Sequence, residues 1–304
     1  MRIRLSEACG DALSKTRQPV ITRYQLLLLI ARIARQGSYQ GASIYALKPE
    51  PTDTDYRRVI NQLVEEHKVT SDPDFPATVF AVNNLAIPSP ADVCCLADPY
   101  CYVSHLSAMA HHGLTNRIPD ALTLTRPAPA LWNRMAEQTL ERDLADLGGA
   151  TKGFSKLRLR HYGFPDVVRK RPIIVHNTKY LGRSVSERDS FTRIAHVDQA
   201  FCDMLAEPNY CGGMSHVLEV WRDHASHYLD GIIHNIDELD SPMVKVRAGY
   251  IISELLHVAN PTVIGWRRFA QRGGSRRLDP TRPYAPVYSE VWMISLNTEI
   301  PEFA

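Results

Sequence analysis

Arg57, Arg58, Asn61 and Gln62 stand close together in the chain, and all four side chains are long enough to reach base edges or phosphate oxygens. Arginine presents a two-pronged fork to guanine, and asparagine or glutamine does the same for adenine, so the set carries the chemistry of duplex readout from a helix in a major groove. The segment that holds them, residues 52–67, reads TDTDYRRVINQLVEEH. Tyr56, Val59, Ile60, Leu63 and Val64 recur at helical spacing, which predicts an inward apolar stripe opposite the four polar side chains. Pro49, Pro51 and the cluster Thr52, Asp53, Thr54 mark the helix start, because their oxygens can accept from the N–H groups left over there. The same pattern also describes an amphipathic surface helix with solvated charges. The flanking segments decide between the two.

Other chemistry-bearing residues do not assemble by spacing. Cys101, His105, His111 and His112 lie near one another without any H-E-x-x-H or comparable ligand spacing, and His216, His224, His227 and His234 are no better placed. Gly212-Gly213 and Gly273-Gly274 lack the context of a phosphate-binding loop, and no Gly-x-Ser-x-Gly occurs. Asp166, Glu187 and Asp189 beside a basic run would suit a nuclease, but they form no defensible carboxylate pair with a lysine. The expectation is a non-enzymatic protein with no catalytic centre, no metal and no cofactor.

The elements around residues 52–67 give it a setting. Residues 21–36 contain the run Leu26, Leu27, Leu28, Leu29, Ile30, with Arg23, Arg32 and Arg35 turned outward, and predict a buried helix stopped by Gly37. A short helix is expected over residues 43–47. Past His67, two short strands flank the turn-rich SDPDFP and predict a hairpin. Helix, helix, helix and hairpin is the layout of a winged helix-turn-helix. Asp72 and Asp74 at the hairpin tip would repel phosphates, so Lys68 at its base is the better phosphate partner.

Residues 83–91 carry two prolines and no periodicity and are read as a domain boundary, giving a DNA-binding domain over 1–88 and a larger mixed α/β domain over 89–304, α+β as a whole. In the second, Asp98-Pro99 is expected to start a helix over 100–112, a strand to follow over 121–126, and a helix over 131–147. Residues 156–162 alternate Lys156, Arg158 and Arg160 with Leu157, Leu159 and His161, which predicts a strand with three cations on one face. Helices over 197–205, 214–227 and 243–258 come next, and a strand over 291–296 closes the chain.

At 304 residues the chain is long enough for two cores. Its net charge of +2 conceals a division. Residues 1–48 hold eight Lys or Arg against two acids, and 150–183 hold nine against one. Residues 196–262 reverse the balance, with ten acids against three bases. Such a surface meets a polyanion with part of its area. No apolar run reaches the roughly 20 residues of a membrane helix, the first residues lack a signal peptide's apolar core, and the six cysteines contain no C-x-x-C pair, so a cytoplasmic protein with free thiols is expected.

Several phrases of the second half resemble one family. RIAHVDQAFCDMLAEPNYCGG, residues 193–213, is similar to a stretch of AbiEi-type antitoxins at Arg193, Ala195, Ala200, Asp203, Leu205, Pro208, Tyr210, Cys211, Gly212 and Gly213. RAGYIISE at 247–254, LDPTRPY at 278–284 with Trp292 and Asn297, YVSHLSA at 102–108 and HGLT at 112–115 also look like that family's phrases. His196 and Gln199 depart from it, where the family has a capping serine and an arginine.

The resemblance implies an antitoxin of a type IV toxin-antitoxin system with two activities. An N-terminal winged helix would bind inverted repeats at its own promoter, and a larger domain would counter a co-encoded nucleotidyltransferase-like toxin of the AbiEii type. The implied partners are promoter DNA and that toxin, met directly or functionally. Arg57, Arg58, Asn61 and Gln62 would contact bases, with Thr54 beside them; Arg17, Arg23, Lys68, Lys156, Arg158 and Arg160 would contact phosphate. Asp203, Arg247, Tyr250 and Glu254 would form a buried polar cluster. The competing readings are a nucleic-acid-processing enzyme and a transcription regulator with a ligand-sensing C-terminal domain.

Overall fold

A computed structural model of the protein describes residues 2–45, 52–76, 78–83, 85, 87–148, 158–271 and 276–303, and the chain is α+β. Its elements begin β1 (Arg2–Ile3), α1 (Leu5–Thr16), β2 (Val20–Thr22), α2 (Arg23–Gln36), β3 (Ser38–Tyr39), β4 (Ala42–Ile44), α3 (Asp53–Glu65), β5 (Val69–Ser71), β6 (Val79–Val82) and α4 (Pro90–Ala97). They continue through β7 (Tyr102–Val103), α5 (His105–His111), β8 (Leu122–Pro127), α6 (Pro129–Asp146), β9 (Val167–Val168), β10 (Arg171–Thr178), β11 (Ser184–Ser186) and β12 (Arg193–Ala195). The remainder is α7 (Val197–Ala206), α8 (Met214–Glu238), α9 (Pro242–Tyr250), α10 (Pro261–Gly265), β13 (Tyr288–Ser289) and β14 (Ile294–Ser295). Among the described residues no helix is long and apolar enough to cross a membrane.

The chain divides into two units that interleave in sequence. One comprises Met1–Cys101, Thr125–Leu181 and Ser186–Thr192; the other comprises Tyr102–Leu124, Gly182–Val185 and Arg193–Ala304. A cut at 88/89 is therefore not where the contacts divide. Side chains explain the difference: Tyr24 Oη in α2 donates to Asp143 Oδ2 in α6 at 2.6 Å, and Leu140, Leu144 and Leu147 join the core built by α1, α2 and α3.

In the first unit, α2 starts on a reciprocal cap in which Thr22 Oγ1 accepts from Gln25 N at 3.1 Å and Gln25 Oε1 accepts from Thr22 N at 3.0 Å. It stops at Gly37, whose φ of 65° is left-handed. Residues 20–22 are a strand rather than the helix's first turn. β2 pairs antiparallel with β6, and β6 with β5, giving the order β2-β6-β5. α1 packs on both α2 and α3, burying Cys9, Leu13, Leu26, Ile30, Leu63 and Val69. The helix expected over 43–47 is corrected: Ala42–Ile44 is β4, held between β1 and β3, and residues 46–51 lie outside the described residues.

The hairpin tip is packed rather than free. Asp72 is fully buried, its Oδ1 accepts from Asp74 N and Phe75 N at 3.0 and 3.2 Å, and both Asp72 and Asp74 pair with Arg169. Arg169 and Lys170 link β9 to β10 as a two-residue turn with φ of 50° and 65°, the left-handed pair that a tight hairpin requires. Phe75 sits edge-on to Tyr162 and Phe164.

Pro90 and Ala91, the last residues of the expected boundary at 83–91, open α4, capped by Ser89, whose hydroxyl accepts from Asp92 N at 3.0 Å. Asp98 ends this helix instead of starting the next. Of the strand expected over 156–162, residues 156 and 157 lie outside the described residues; Arg158 and Arg160 are exposed and Leu159 and His161 half-buried, as alternation predicts, but residues 158–162 belong to no strand among the described residues.

The second unit centres on α7 and α8, where Phe201 meets Trp221 edge-on at 5.3 Å. β12 runs parallel to β7, with Ile194 beside Val103. Only residues 105–111 of the expected 100–112 helix are helical. α9 passes into a π-helical turn, Ile251–Leu255. Gly249 is the seat of Trp292, since a Cβ there would lie 2.2 Å from the indole, and Trp292 Nε1 donates to Ser253 Oγ at 2.8 Å. Arg247 donates to Leu205 O at 2.6 Å, Glu254 accepts from Ser289 Oγ at 2.7 Å, and Asp203 accepts from Gln199 Nε2 at 2.7 Å. Of the polar cluster expected of Asp203, Arg247, Tyr250 and Glu254, the first, second and fourth thus tie different segments down through these bonds, and the Tyr250 phenol is raised by burial and by its nearness to Glu254.

Candidate nucleic-acid interface

α3 is positioned by what it buries. Tyr56, Val59, Ile60 and Leu63 face the core, whereas Val64, expected on the same stripe, is 40% exposed. Its start is fixed by Asp55 Oδ2, which accepts from Thr52 N at 2.9 Å and from Thr52 Oγ1 at 2.7 Å. Asp53 and Asp55 in the first turn also complement the positive end of the helix dipole.

The polar side divides into two rows. Thr54, Arg58 and Asn61 are exposed and follow one another at helical spacing, so they form an open ridge, with Gln62 half-buried beside it. Arg57 belongs to the neighbouring row with Asp53 and Ile60, and that row lines a cavity of about 360 Å³. Arg23, Arg158 and Arg160 line the same cavity. The fold therefore gathers Arg57 with three arginines expected to hold phosphate, from segments far apart in the chain. All four are exposed, and among the described residues none is given an acidic partner at ion-pair distance.

The remaining candidates lie elsewhere. Arg17 is the left-handed residue that ends α1, with φ of 53°, and is exposed. Lys68 is exposed too, and its stem crosses Gly10 of α1, where a Cβ would meet its Cγ at 3.3 Å. Lys156 lies outside the described residues.

The cavity floor escaped notice in the sequence. Tyr24, Trp132 and Tyr162 line it together with Tyr56 and come from three distant segments, so no local spacing announces them. Each of the three has its polar group engaged: Tyr24 with Asp143, Trp132 Nε1 with Asp98 Oδ1 at 3.1 Å, and Tyr162 Oη with Ala97 O. Burial raises the Tyr162 phenol well above its ordinary range.

Of the residues considered as metal ligands, Cys101, His105, His112 and His216 have other partners, the last through Thr115 Oγ1 at 2.9 Å. Cys101 Sγ donates to Cys94 O at 3.2 Å, His105 Nδ1 shares a hydrogen bond with Ser104 Oγ at 2.8 Å, and His112 Nε2 meets Ala195 O at 2.8 Å. All six cysteines are buried, and among the described residues none forms a disulfide.

No family model matches the chain, and no curated protein matches it. Among solved structures it is similar to the crystal structure of the RV2827C protein from Mycobacterium tuberculosis, at 11% identity over 95% of this chain and 90% of that one, with a TM-score of 0.45. A likeness at that level bears on neither family nor function.

Proposed function

We propose that the protein is a DNA-binding autorepressor and antitoxin, in which the first unit carries a winged helix-turn-helix with α3 as its recognition helix. The observation that carries the DNA-binding half is the open ridge of Thr54, Arg58 and Asn61 on a helix whose opposite face is buried against α1. The order α1, β2, α2, α3, β5, β6, with β2-β6-β5 as the sheet, supports the same reading. Arg58 and Asn61 then read bases, Arg57 and Gln62 flank them, and Arg17, Arg23, Lys68, Lys156, Arg158 and Arg160 supply phosphate contacts. Buried as it is, the hairpin tip takes no part.

The antitoxin half rests on the resemblance of residues 102–297 to AbiEi-type antitoxins. The partner it implies is a nucleotidyltransferase-like toxin encoded beside this chain.

The test is a titration on the DNA upstream of the gene over a range of salt, with a scrambled duplex as control. Specific binding should weaken with salt by a log–log slope of about 0.9 for each phosphate neutralised. Arg57→Ala with Arg58→Ala should abolish specific binding and leave rescue of cells expressing the neighbouring toxin intact. Equal binding to both duplexes sinks the repressor reading; loss of rescue in the double variant sinks the division of labour.

A further inference from the structure

The cavity beside α3 has a composition that duplex binding does not call for. It is lined by Tyr24, Tyr56, Trp132 and Tyr162 with Leu27, Ile60 and Leu159, of which Tyr162, Leu27 and Leu159 are half-buried and the others buried. Four exposed arginines, Arg23, Arg57, Arg158 and Arg160, line it as well, against the single acid Asp53. A phosphate on a DNA backbone needs the cations and has no use for the aromatic lining. At about 360 Å³ the space falls within the range of small-molecule sites, which pair an apolar body with a few polar groups that fix orientation.

The hydrogen bonding narrows the ligand further. Because Tyr24, Trp132 and Tyr162 already spend their polar atoms on Asp143, Asp98 and Ala97, they offer no donors to an incoming molecule, and the half-buried Tyr162 is the one of the three with ring surface to spare. The directional recognition falls to the arginines, whose planar forks match carboxylate or phosphate and whose flat faces also stack on rings. The first turn of α2, at Thr22 and Arg23, lines the cavity as well and adds the positive end of a helix dipole.

We infer that this cavity is a binding site for a small aromatic anion, a planar ring bearing a carboxylate or a phosphate, with the ring against Tyr162, Leu27 and Leu159 and the anionic group held by Arg158 and Arg160. Occupancy would also engage Arg57, next to the ridge of α3. That last consequence, competition between ligand and duplex, rests on the DNA-binding reading; the binding itself does not.

Calorimetric titration of the full chain, without DNA, tests the site with four probes. Salicylate and adenosine monophosphate supply ring and anion together, phenol supplies the ring alone, and inorganic phosphate supplies the anion alone. Saturable binding of either complete probe, at least about tenfold tighter than both fragments, is the expected result. Arg158→Ala with Arg160→Ala should weaken it by about tenfold to a hundredfold, as loss of charge-assisted hydrogen bonds does. Both positions are exposed, so an unchanged thermal midpoint checks that the double variant folds. Phosphate binding as tight as adenosine monophosphate would reduce the site to a patch of surface cations and overturn the inference. Absence of binding by both complete probes, or binding indifferent to the double substitution, would overturn it equally. A failed operator titration with intact probe binding would remove the repressor and keep the site.

Discussion

In the first unit the Asp98 carboxylate, 1% exposed, meets the Arg126 guanidinium at 2.8 Å and also accepts from Trp132 Nε1 and from Tyr100 N. In the second unit the buried Asp203 meets the uncharged amide of Gln199, and its Oδ2 has no hydrogen-bond partner among the described residues. Burial lifts its pKa from 3.8 to about 7, against the opposing pull of Gln199 and the His105 backbone. One unit compensates a buried acid with charge, and the other lets it hold its proton. The second arrangement responds to pH.

The largest effect should come from breaking the charged arrangement. Asp98→Ala strands Arg126, itself 3% exposed, without its counter-charge, and should cost about 3–5 kcal/mol of stability in urea unfolding. A loss under about 1 kcal/mol would mean that the guanidinium finds water or another acceptor, and the contrast between the units would fail.

Arg169→Ala is the next in size. It removes the partner of both Asp72 and Asp74, but Asp72 keeps two backbone donors and Arg169 is partly solvated, so about 1–3 kcal/mol is expected. Proteolysis within residues 72–75 should accelerate in this variant, and an unchanged cleavage pattern would show that the tip is held by Phe75 alone.

The smallest effect sharpens the comparison through pH. Between about pH 4 and 7 folded Asp203 keeps a proton that the unfolded chain has released, so the folded state binds more protons and its stability declines as pH rises across that window. Asp203→Asn lacks this dependence while keeping an acceptor for Gln199. The variant should therefore gain on the parent steadily as pH rises from about 4 to 7. Parallel melting-temperature profiles would show that Asp203 ionises as an ordinary acid.

What the sequence disclosed follows a physical line. α2 and α3 were legible because each carries a full amphipathic pattern and a local stop or start, Gly37 for one and Thr52 for the other. α1 was not, since LSEACGDALSKT buries small residues such as Ala8, Cys9 and Gly10, which weigh little in any hydrophobic pattern. α4 was legible in principle from Ser89, Pro90 and Asp92, a cap, an N1 proline and an acid, but the surrounding prolines suggested a linker. In the strand expected over 156–162, residues 158–161 alternate in exposure yet pair with no strand among the described residues, because alternation reports which side is buried and says nothing about what pairs. Of the candidate interface, the cations were visible as types; their convergence on one cavity was not, being a product of contacts between segments a hundred residues apart.

The Asp72–Arg169 contact also bears on the order in which the protein can be finished on the ribosome. The acid is synthesised 97 residues before its guanidinium, and at roughly 5–20 residues per second the hairpin waits about 5–20 s for the partner that shelters it. Asp92 waits longer still, for Ser190, Phe191 and Thr192. During that interval the nascent chain carries Phe75 uncovered and Asp72 unneutralised, although every residue of α1 to β6 has already been made. The first unit is thus first in sequence but late in completion, and a fragment cut at residue 88 corresponds to the waiting state rather than to the finished one.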